Sequence, residues 1–474
     1  MEAAEAIQDI TEEKKTFRDH LSTVDGKGKR VWLYPKKPSG KLTSYRYLVS
    51  YLLMAFLLGA PFIKIDGQPL LLFNFFERKF IILGQVFWPQ DFFLFVVGFI
   101  TSIVFIILFT VAFGRIFCGW VCPQTIFMEG VFRRIEYWLE GDSGAQKRLD
   151  KQPWTVEKIR KKGLKHLIFI AISALIMHTF ISYLIGVDAL WEMIRQGPLE
   201  NIPGFIAMLV FTGLFYGVFS KMREQVCTTI CPYGRLQGVL LDRQSIVVAY
   251  DHLRGENRAK FRKNQDRDVL GLGDCIDCKL CVNVCPMGID IRNGTQLECV
   301  NCTACIDACN GIMDRIGKPK GLVRYASEAS IAENKPFQFT TRMRAYSAVL
   351  SALICVLVVL LVIRTDFETT IVRTPGMLFQ KRENGDISNL YQLSMVNKTN
   401  EAAAVRLELL EPKGKLEMIG TALDLKSQGK AEGAFFVVIP SENLSRMSEK
   451  IKIGIFSGSE QIETINTNFL GPSQ

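Results

Sequence analysis

Histidine is almost missing from this chain: four residues in 474, at positions 20, 166, 178 and 252. His166 and His178 share one apolar stretch but lie twelve positions apart, so they can hold a haem only with partners from elsewhere. The final stretch, residues 365–474, has neither cysteine nor histidine, which excludes a disulfide or a soft-metal site there. The first 44 residues carry no apolar run, so no cleavable signal peptide is expected. No Lys-Ser/Thr follows Gly114–Gly119, which rules out a phosphate-binding loop. The fourteen methionines are scattered and form no copper-binding box, and no serine- or cysteine-hydrolase arrangement is present.

What is present is a mosaic. Apolar residues make up 49% of the chain and charged residues 22%, an average that describes no single part of it. A polar, basic tail (1–44) precedes four apolar spans at 45–63, 92–113, 166–185 and 204–220, each long enough to cross a bilayer. Residues 64–90 mix Asp66, Glu77, Arg78 and Lys79 with apolar pieces and read as an interfacial or re-entrant loop. A hydrophilic region follows (221–344), then a fifth span (345–363) ended by Arg364. Lys and Arg number three in 64–90, one in 186–203 and eleven in 114–165. The positive-inside rule then puts the N-terminus and both large basic segments in the cytoplasm and the C-terminal region outside. The same rule accounts for the net charge of +10, so no nucleic-acid partner is inferred.

Eight of the thirteen cysteines fall within 35 residues. Cys275, Cys278, Cys281 and Cys285 are spaced C-x2-C-x2-C-x3-C and followed by Pro286. Cys299, Cys302, Cys305 and Cys309 repeat the spacing, with Asn310 in place of the proline. This is the run of bacterial two-cluster ferredoxins, in which the fourth cysteine of each run ligates the other cluster. Cluster one is therefore assigned to Cys275, Cys278, Cys281 and Cys309, and cluster two to Cys285, Cys299, Cys302 and Cys305, both as [4Fe–4S]. The alternative is structural zinc, which also takes C-x2-C pairs but gives no reason for the third close cysteine or the trailing x3-C. Such thiols must stay reduced, which independently favours the cytoplasm. The ferredoxin insert is bounded at 275–315, with linkers at 221–274 and 316–344.

Four further cysteines form a second pattern. Cys118 and Cys122, then Cys227 and Cys231, each make C-x3-C-P just after an even-numbered span. Proline keeps the preceding residue out of the helical region and begins a helix well. Cys122 and Cys231 are thus expected at helix N-termini, where the dipole favours thiolate. Converging thiolates would select copper(I), zinc or iron–sulfur. The four are read as one redox-active or metal-binding site, against two separate pairs of packing cysteines. Cys355, alone in the fifth span, reads as packing.

Residues 365–474 change period. Tyr391–Val396, Ala404–Leu410, Ala434–Ile439 and Lys450–Phe456 alternate apolar and polar residues between turn-forming segments. About seven short strands at this spacing suggest an immunoglobulin-like β-sandwich. The fold class is therefore multi-domain: five membrane helices, a cytoplasmic two-cluster insert and a periplasmic sandwich, read either as a docking module or as passive.

In order along the chain, Arg30-Val-Trp-Leu-Tyr-Pro, Cys118-Gly-Trp-Val-Cys-Pro-Gln-Thr, Cys227-Thr-Thr-Ile-Cys-Pro-Tyr-Gly-Arg, the ferredoxin pair, Gly317-Lys-Pro-Lys-Gly-Leu-Val-Arg-Tyr-Ala-Ser and Asn389-Leu-Tyr-Gln-Leu-Ser-Met-Val-Asn-Lys-Thr resemble the FixG/RdxA/CcoG family. Those proteins are accessory factors for cbb3-type cytochrome c oxidase in the bacterial inner membrane. The resemblance implies a polyferredoxin that acts as a cupric reductase, making Cu(I) for delivery to the oxidase. It implies membrane lipid, a cytoplasmic electron donor, and copper-transport and oxidase-assembly factors as partners, with self-association left open. Two rivals remain: a quinol-linked electron relay to a periplasmic reductase, and a non-enzymatic assembly scaffold.

Overall fold

The computed structural model describes residues 22–472 except 26, 66, 263–265, 335, 377, 400, 421–422, 445 and 459. They divide into two compact units: one runs up to residue 63 and from 95 to 356, the other comprises 64–94 and the chain from 357 onward.

Five helices are long and apolar enough to cross a membrane: Lys41–Phe62, Phe92–Phe113, Val156–Ile185, Ile202–Met222 and Thr341–Val362. Four begin earlier than the apolar runs predict. The third starts ten residues sooner, at Val156, because Thr155 caps it by accepting a hydrogen bond from the Lys158 amide. Its charged first turns stay helical because their lysines find acids: Lys162 lies 2.6 Å from Asp150, and Lys165 2.8 Å from Glu140. The first span starts at Lys41, where the Asp307 carboxylate accepts from the Leu42 and Thr43 amides at 3.3 and 2.6 Å. The 114–165 segment expected as a loop is largely helical, with short helices at Ile116–Trp120, Pro123–Phe127, Arg133–Leu139 and Ser143–Lys151. Residues 30–36 are likewise no free tail. Arg30 pairs with Glu224 at 3.1 Å, and the Lys36 amide donates to the Asn283 carbonyl.

The second unit holds the sandwich. One sheet orders Lys415–Ile419, Lys430–Ile439, Ile387–Asn397 and Phe367–Arg373, with Gln380–Lys381 beside Ile387–Asn397. The other orders Leu423–Leu425, Ala403–Glu411, Ser448–Ser457 and Glu460–Leu470, so nine strands appear among the described residues beyond 365. Period-two alternation drives this. Ile387, Tyr391, Leu393 and Met395 face Phe435, Val437, Ile451, Ile453 and Phe469 in one buried core. The Tyr391 hydroxyl donates to the Asn468 carbonyl at 2.9 Å, which satisfies its polar end inside that core.

Residues 64–90, expected as an interfacial or re-entrant loop, form short strands instead. Lys64–Ile65 pairs with Gln68–Pro69, and Leu71–Asn74, Lys79–Ile82 and Gln85–Phe87 form a meander over a small core of Leu72, Ile81 and Val86. Glu77 and Arg78 sit in the turn between Leu71–Asn74 and Lys79–Ile82, where Asn74 accepts from the Phe76 and Glu77 amides, Lys79 opens the next strand, and Asp66 lies outside the described residues. Asp91 joins this meander to the sandwich through Lys398 at 2.7 Å and Arg364 at 2.9 Å. Burial pushes the Asp91 carboxyl up, but the hydrogen bonds and charges of Arg364 and Lys398 outweigh it and hold the group below its ordinary 3.8. A depressed carboxylate stabilises fully above its unfolded value and loses that contribution as pH falls through the folded one. The second unit is thus expected to weaken below pH 3.8. Asp91→Asn leaves Arg364 facing a neutral amide while Lys398 keeps Glu368 at 2.8 Å, and is expected to cost about 1–3 kcal/mol. A lowered thermal midpoint of the sandwich would report the loss.

Candidate metal centres and the thiol set between them

Within the first unit, strands Val247–Tyr250 and Val323–Ala326 pair antiparallel and frame helices Leu280–Asn283 and Ala304–Arg315. The two cysteine runs fold alike. Asp277 and Lys279 flank Cys278, and Asn301 and Thr303 flank Cys302; all four adopt left-handed backbone, with φ of 49°, 54°, 53° and 65°. Four non-glycine residues in this region, at matching places in both runs, are a strained loop retained for a purpose. Asp and Asn before the second cysteine of each run were the readable sign of it. Asn310, where Pro286 has its counterpart, accepts from the Gly321 amide at 2.9 Å and fixes the return to Val323–Ala326.

The eight cysteines line two small apolar cavities. Cys275, Cys278, Cys281 and Cys309 line one, beside Ile312, Met313, Leu322 and Val323. Cys285, Cys299, Cys302 and Cys305 line the other with Ile289, Ile291 and Val300, and Cys281 reaches its edge. The fourth cysteine of each run therefore belongs with the other run's first three. Among the described residues no three Cys, His, Asp or Glu side chains converge closely enough to share a single metal ion. Four thiols around a cavity, too spread for a zinc tetrahedron, fit the larger [4Fe–4S] group. Burial pushes the Cys281, Cys299 and Cys309 thiols up to about 12. Such thiols stay protonated until metal binding replaces the S–H bond and releases the proton to solvent.

Two of the C-x3-C-P cysteines pack beside residues of the second cavity. Cys118 and Cys227 share one buried apolar cluster with Cys285, Cys299 and Cys302. Burial pushes Cys227 up to about 12, and Cys122, Cys118 and Cys231 all press it the same way, so the four thiols sense one another. Burial also raises Cys118, which accepts from the Gln237 amide at 3.5 Å. Pro123 and Pro232 do begin helices, and Cys122 and Cys231 are their N-caps.

Close approach explains the glycine in Cys118-Gly119. A methyl group there would come within 2.4 Å of the Val300 carbonyl oxygen, in the loop between Cys299 and Cys302. Gly119→Ala must push the two segments apart, at about 1–3 kcal/mol. It is expected to slow electron transfer between the two thiol sets while every cysteine stays in place. Single-turnover reoxidation of the reduced protein measures this.

Sequence reasoning missed the buried ion network that holds the Cys227 turn. Arg223 binds Glu136 through both nitrogens at 2.9 and 2.8 Å. Arg133 lies 3.3 Å from both Glu129 and Glu224, and it also donates to the Pro286 carbonyl. Trp32 lies between Arg30 and Arg223, at 4.5 and 4.8 Å. Arg133 and Lys162 were counted as positive-inside charge but are ion-paired structural groups. Of the remaining candidates, Cys355 is exposed on the fifth span. His166 bonds the Tyr216 hydroxyl at 2.9 Å, and His178 bonds the Ala174 carbonyl at 2.7 Å.

Five membrane-length helices, paired four-cysteine cavities and a sandwich define a membrane-associated iron–sulfur electron-transfer protein. Comparisons with known proteins agree. A 4Fe-4S dicluster domain matches residues 222–328, a 4Fe-4S binding domain 94–145, and the immunoglobulin-like fold at the C-terminus of FixG 357–472. RdxA of Cereibacter sphaeroides is 36% identical over 80% of this chain and 82% of its own length. RdxB of the same organism is 32% identical over 93% and 92%. The nitrogen fixation protein FixG of Rhizobium meliloti is 37% identical over 65% of this chain, and the chain spans 59% of FixG's length. The chain belongs to the FixG/RdxA/RdxB family.

Proposed function

We propose that this protein passes electrons from a cytoplasmic donor to Cu(II), releasing Cu(I) for copper-transport and assembly factors that serve a cbb3-type oxidase. The observation that carries the reading is the packing of Cys118-Gly119 onto the Val300–Asn301 backbone, which sets a soft-ligand site beside an electron-carrier cavity. In this reading the N-terminus and the 275–315 insert face the cytoplasm of a bacterial inner membrane, and residues 365–474 face the periplasm. The eleven bases of 114–165, against three and one in the other two loops, support that orientation.

When bound at the two cysteine cavities, [4Fe–4S] clusters supply one-electron storage at potentials set by burial and hydrogen bonding. Cys275, Cys278, Cys281 and Cys309 hold the first; Cys285, Cys299, Cys302 and Cys305 hold the second. Cys118, Cys122, Cys227 and Cys231 take up copper as substrate, two thiols to an ion, since no three of them converge on one point. Thiolates prefer Cu(I) to Cu(II), so binding there favours the reduced ion, and each Cu(II) accepts one electron. The apolar wall around Cys118 and Cys227 limits water and raises the electrostatic weight of nearby charges.

One observation favours a second reading. The 4Fe-4S binding domain matched at 94–145 contains Cys118 and Cys122, which suits a quinol-linked relay with a further cluster on the C-x3-C-P thiols. Metal analysis of anaerobically purified protein separates the two. About eight irons with Cu(II)-reducing activity supports the reductase; about twelve irons without it supports the relay.

A further inference from the structure

Six arginines are buried among the described residues: Arg46, Arg115, Arg133, Arg223, Arg267 and Arg292. A buried guanidinium needs an anion. Arg133 and Arg223 have glutamates, and Arg292 has Asp277 and Asp290. Among the described residues the other three make no direct ion pair with a carboxylate, though Glu129 acts on Arg46 at longer range. Arg267 donates to the carbonyls of Gly273, Ala259 and Cys275, the last at 3.0 Å. Arg46 donates to the Cys302 carbonyl at 2.9 Å. Arg115 donates to the Gly234 carbonyl at 2.8 Å, the Leu297 carbonyl and the Gln237 side-chain oxygen. Gln237 in turn donates to Cys118 Sγ. A methyl group at Gly234 would come within 2.5 Å of the Cys227 carbonyl oxygen and 2.8 Å of the Arg115 guanidinium, so glycine lets both approach.

These arginines lie at the cysteine sets: Arg267 at the Cys275 carbonyl, Arg46 at the Cys302 carbonyl, and Arg115, through Gln237 and Gly234, beside Cys118 and Cys227. We propose that the thiols of Cys118, Cys122, Cys227 and Cys231 form a third metal–thiolate centre of net negative charge, and that Arg115 is its fixed counter-cation. The inference rests on the reading that the four take up metal, and it adds the charge of the bound form and the residue that sets it. Binding replaces S–H bonds with S–metal bonds and releases the thiol protons to solvent. The anionic centre then supplies what Arg115 lacks. Arg115 also reaches electrostatically to Cys299, so its charge acts on the second cluster as well.

The test uses full-length protein purified anaerobically, with wild type, Arg115→Gln and Arg267→Gln compared at equal iron content. Competition with a chromophoric Cu(I) chelator should show at least tenfold weaker Cu(I) binding in Arg115→Gln and none of this loss in Arg267→Gln. Redox titration followed by EPR should lower one cluster's potential in Arg115→Gln by a tenfold change in the reduction equilibrium, about 59 mV for one electron. Arg267→Gln should move the other cluster. Gln237→Glu, which neutralises Arg115 without removing it, should shift the same potential in the same direction, and it decides the matter should Arg115→Gln lose iron. Unchanged Cu(I) affinity and unchanged potentials in Arg115→Gln and Gln237→Glu would overturn the proposal. If wild type takes up no Cu(I), the copper reading of the site falls, and the potentials alone judge Arg115: a shift upholds its role as counter-cation and none ends it.

Discussion

Cys118→Ser and Cys231→Ser are each expected to abolish Cu(II) reduction while leaving about eight irons on the protein. The separation follows from position. Both residues lie outside the two cavities lined by the ferredoxin cysteines, so cluster assembly does not need them. Serine keeps the size of the side chain but offers a hard oxygen that is not ionised at neutral pH and does not hold Cu(I). Cys118 is the more telling position because it packs with Cys285, Cys299 and Cys302. The loss should exceed a hundredfold in rate, roughly 2.7 kcal/mol in the barrier. Equal activity in wild type and both variants would move copper reduction elsewhere.

The second large effect concerns which cysteines share a cluster. Cys285 belongs by sequence to the first run but lines the cavity of Cys299, Cys302 and Cys305. Cys309 belongs to the second run but lines the cavity of Cys275, Cys278 and Cys281. Cys285→Ser and Cys299→Ser should therefore leave the same EPR signal and about four irons. Cys309→Ser and Cys275→Ser should leave the other signal. If Cys285→Ser instead matched Cys275→Ser, each run would serve its own cluster and the crossed arrangement would be wrong.

Much of this was legible because it is local. Ferredoxin spacing is set by a few residues of loop around one cubane, so eight cysteines in 35 residues announce themselves. Period-two runs such as Tyr391–Val396 reveal a sheet face for the same reason. What stayed hidden depends on partners far along the chain. Lys158 to Lys165 look like a charged loop until Glu136, Glu140 and Asp150 neutralise them and let the third span begin at Val156. Residues 64–94 are too short to stand alone as a sheet, and their place with the sandwich rests on Asp91 meeting Lys398 more than three hundred residues away. The same holds for Gly119, whose meaning appears only where Val300 faces it. No spacing rule could pair Arg115 with Cys118, since Gln237 and Leu297 complete that contact.

The decisive measurement is an anaerobic stopped mixture of dithionite-reduced, dialysed protein with Cu(II), followed by freeze-quench EPR. The account predicts that the reduced-cluster signal and the Cu(II) signal disappear together, one electron for each ion, and that Cu(I) is recovered on the protein. Persistence of both signals, or protein that carries zinc in place of iron and labile sulfide, would contradict it.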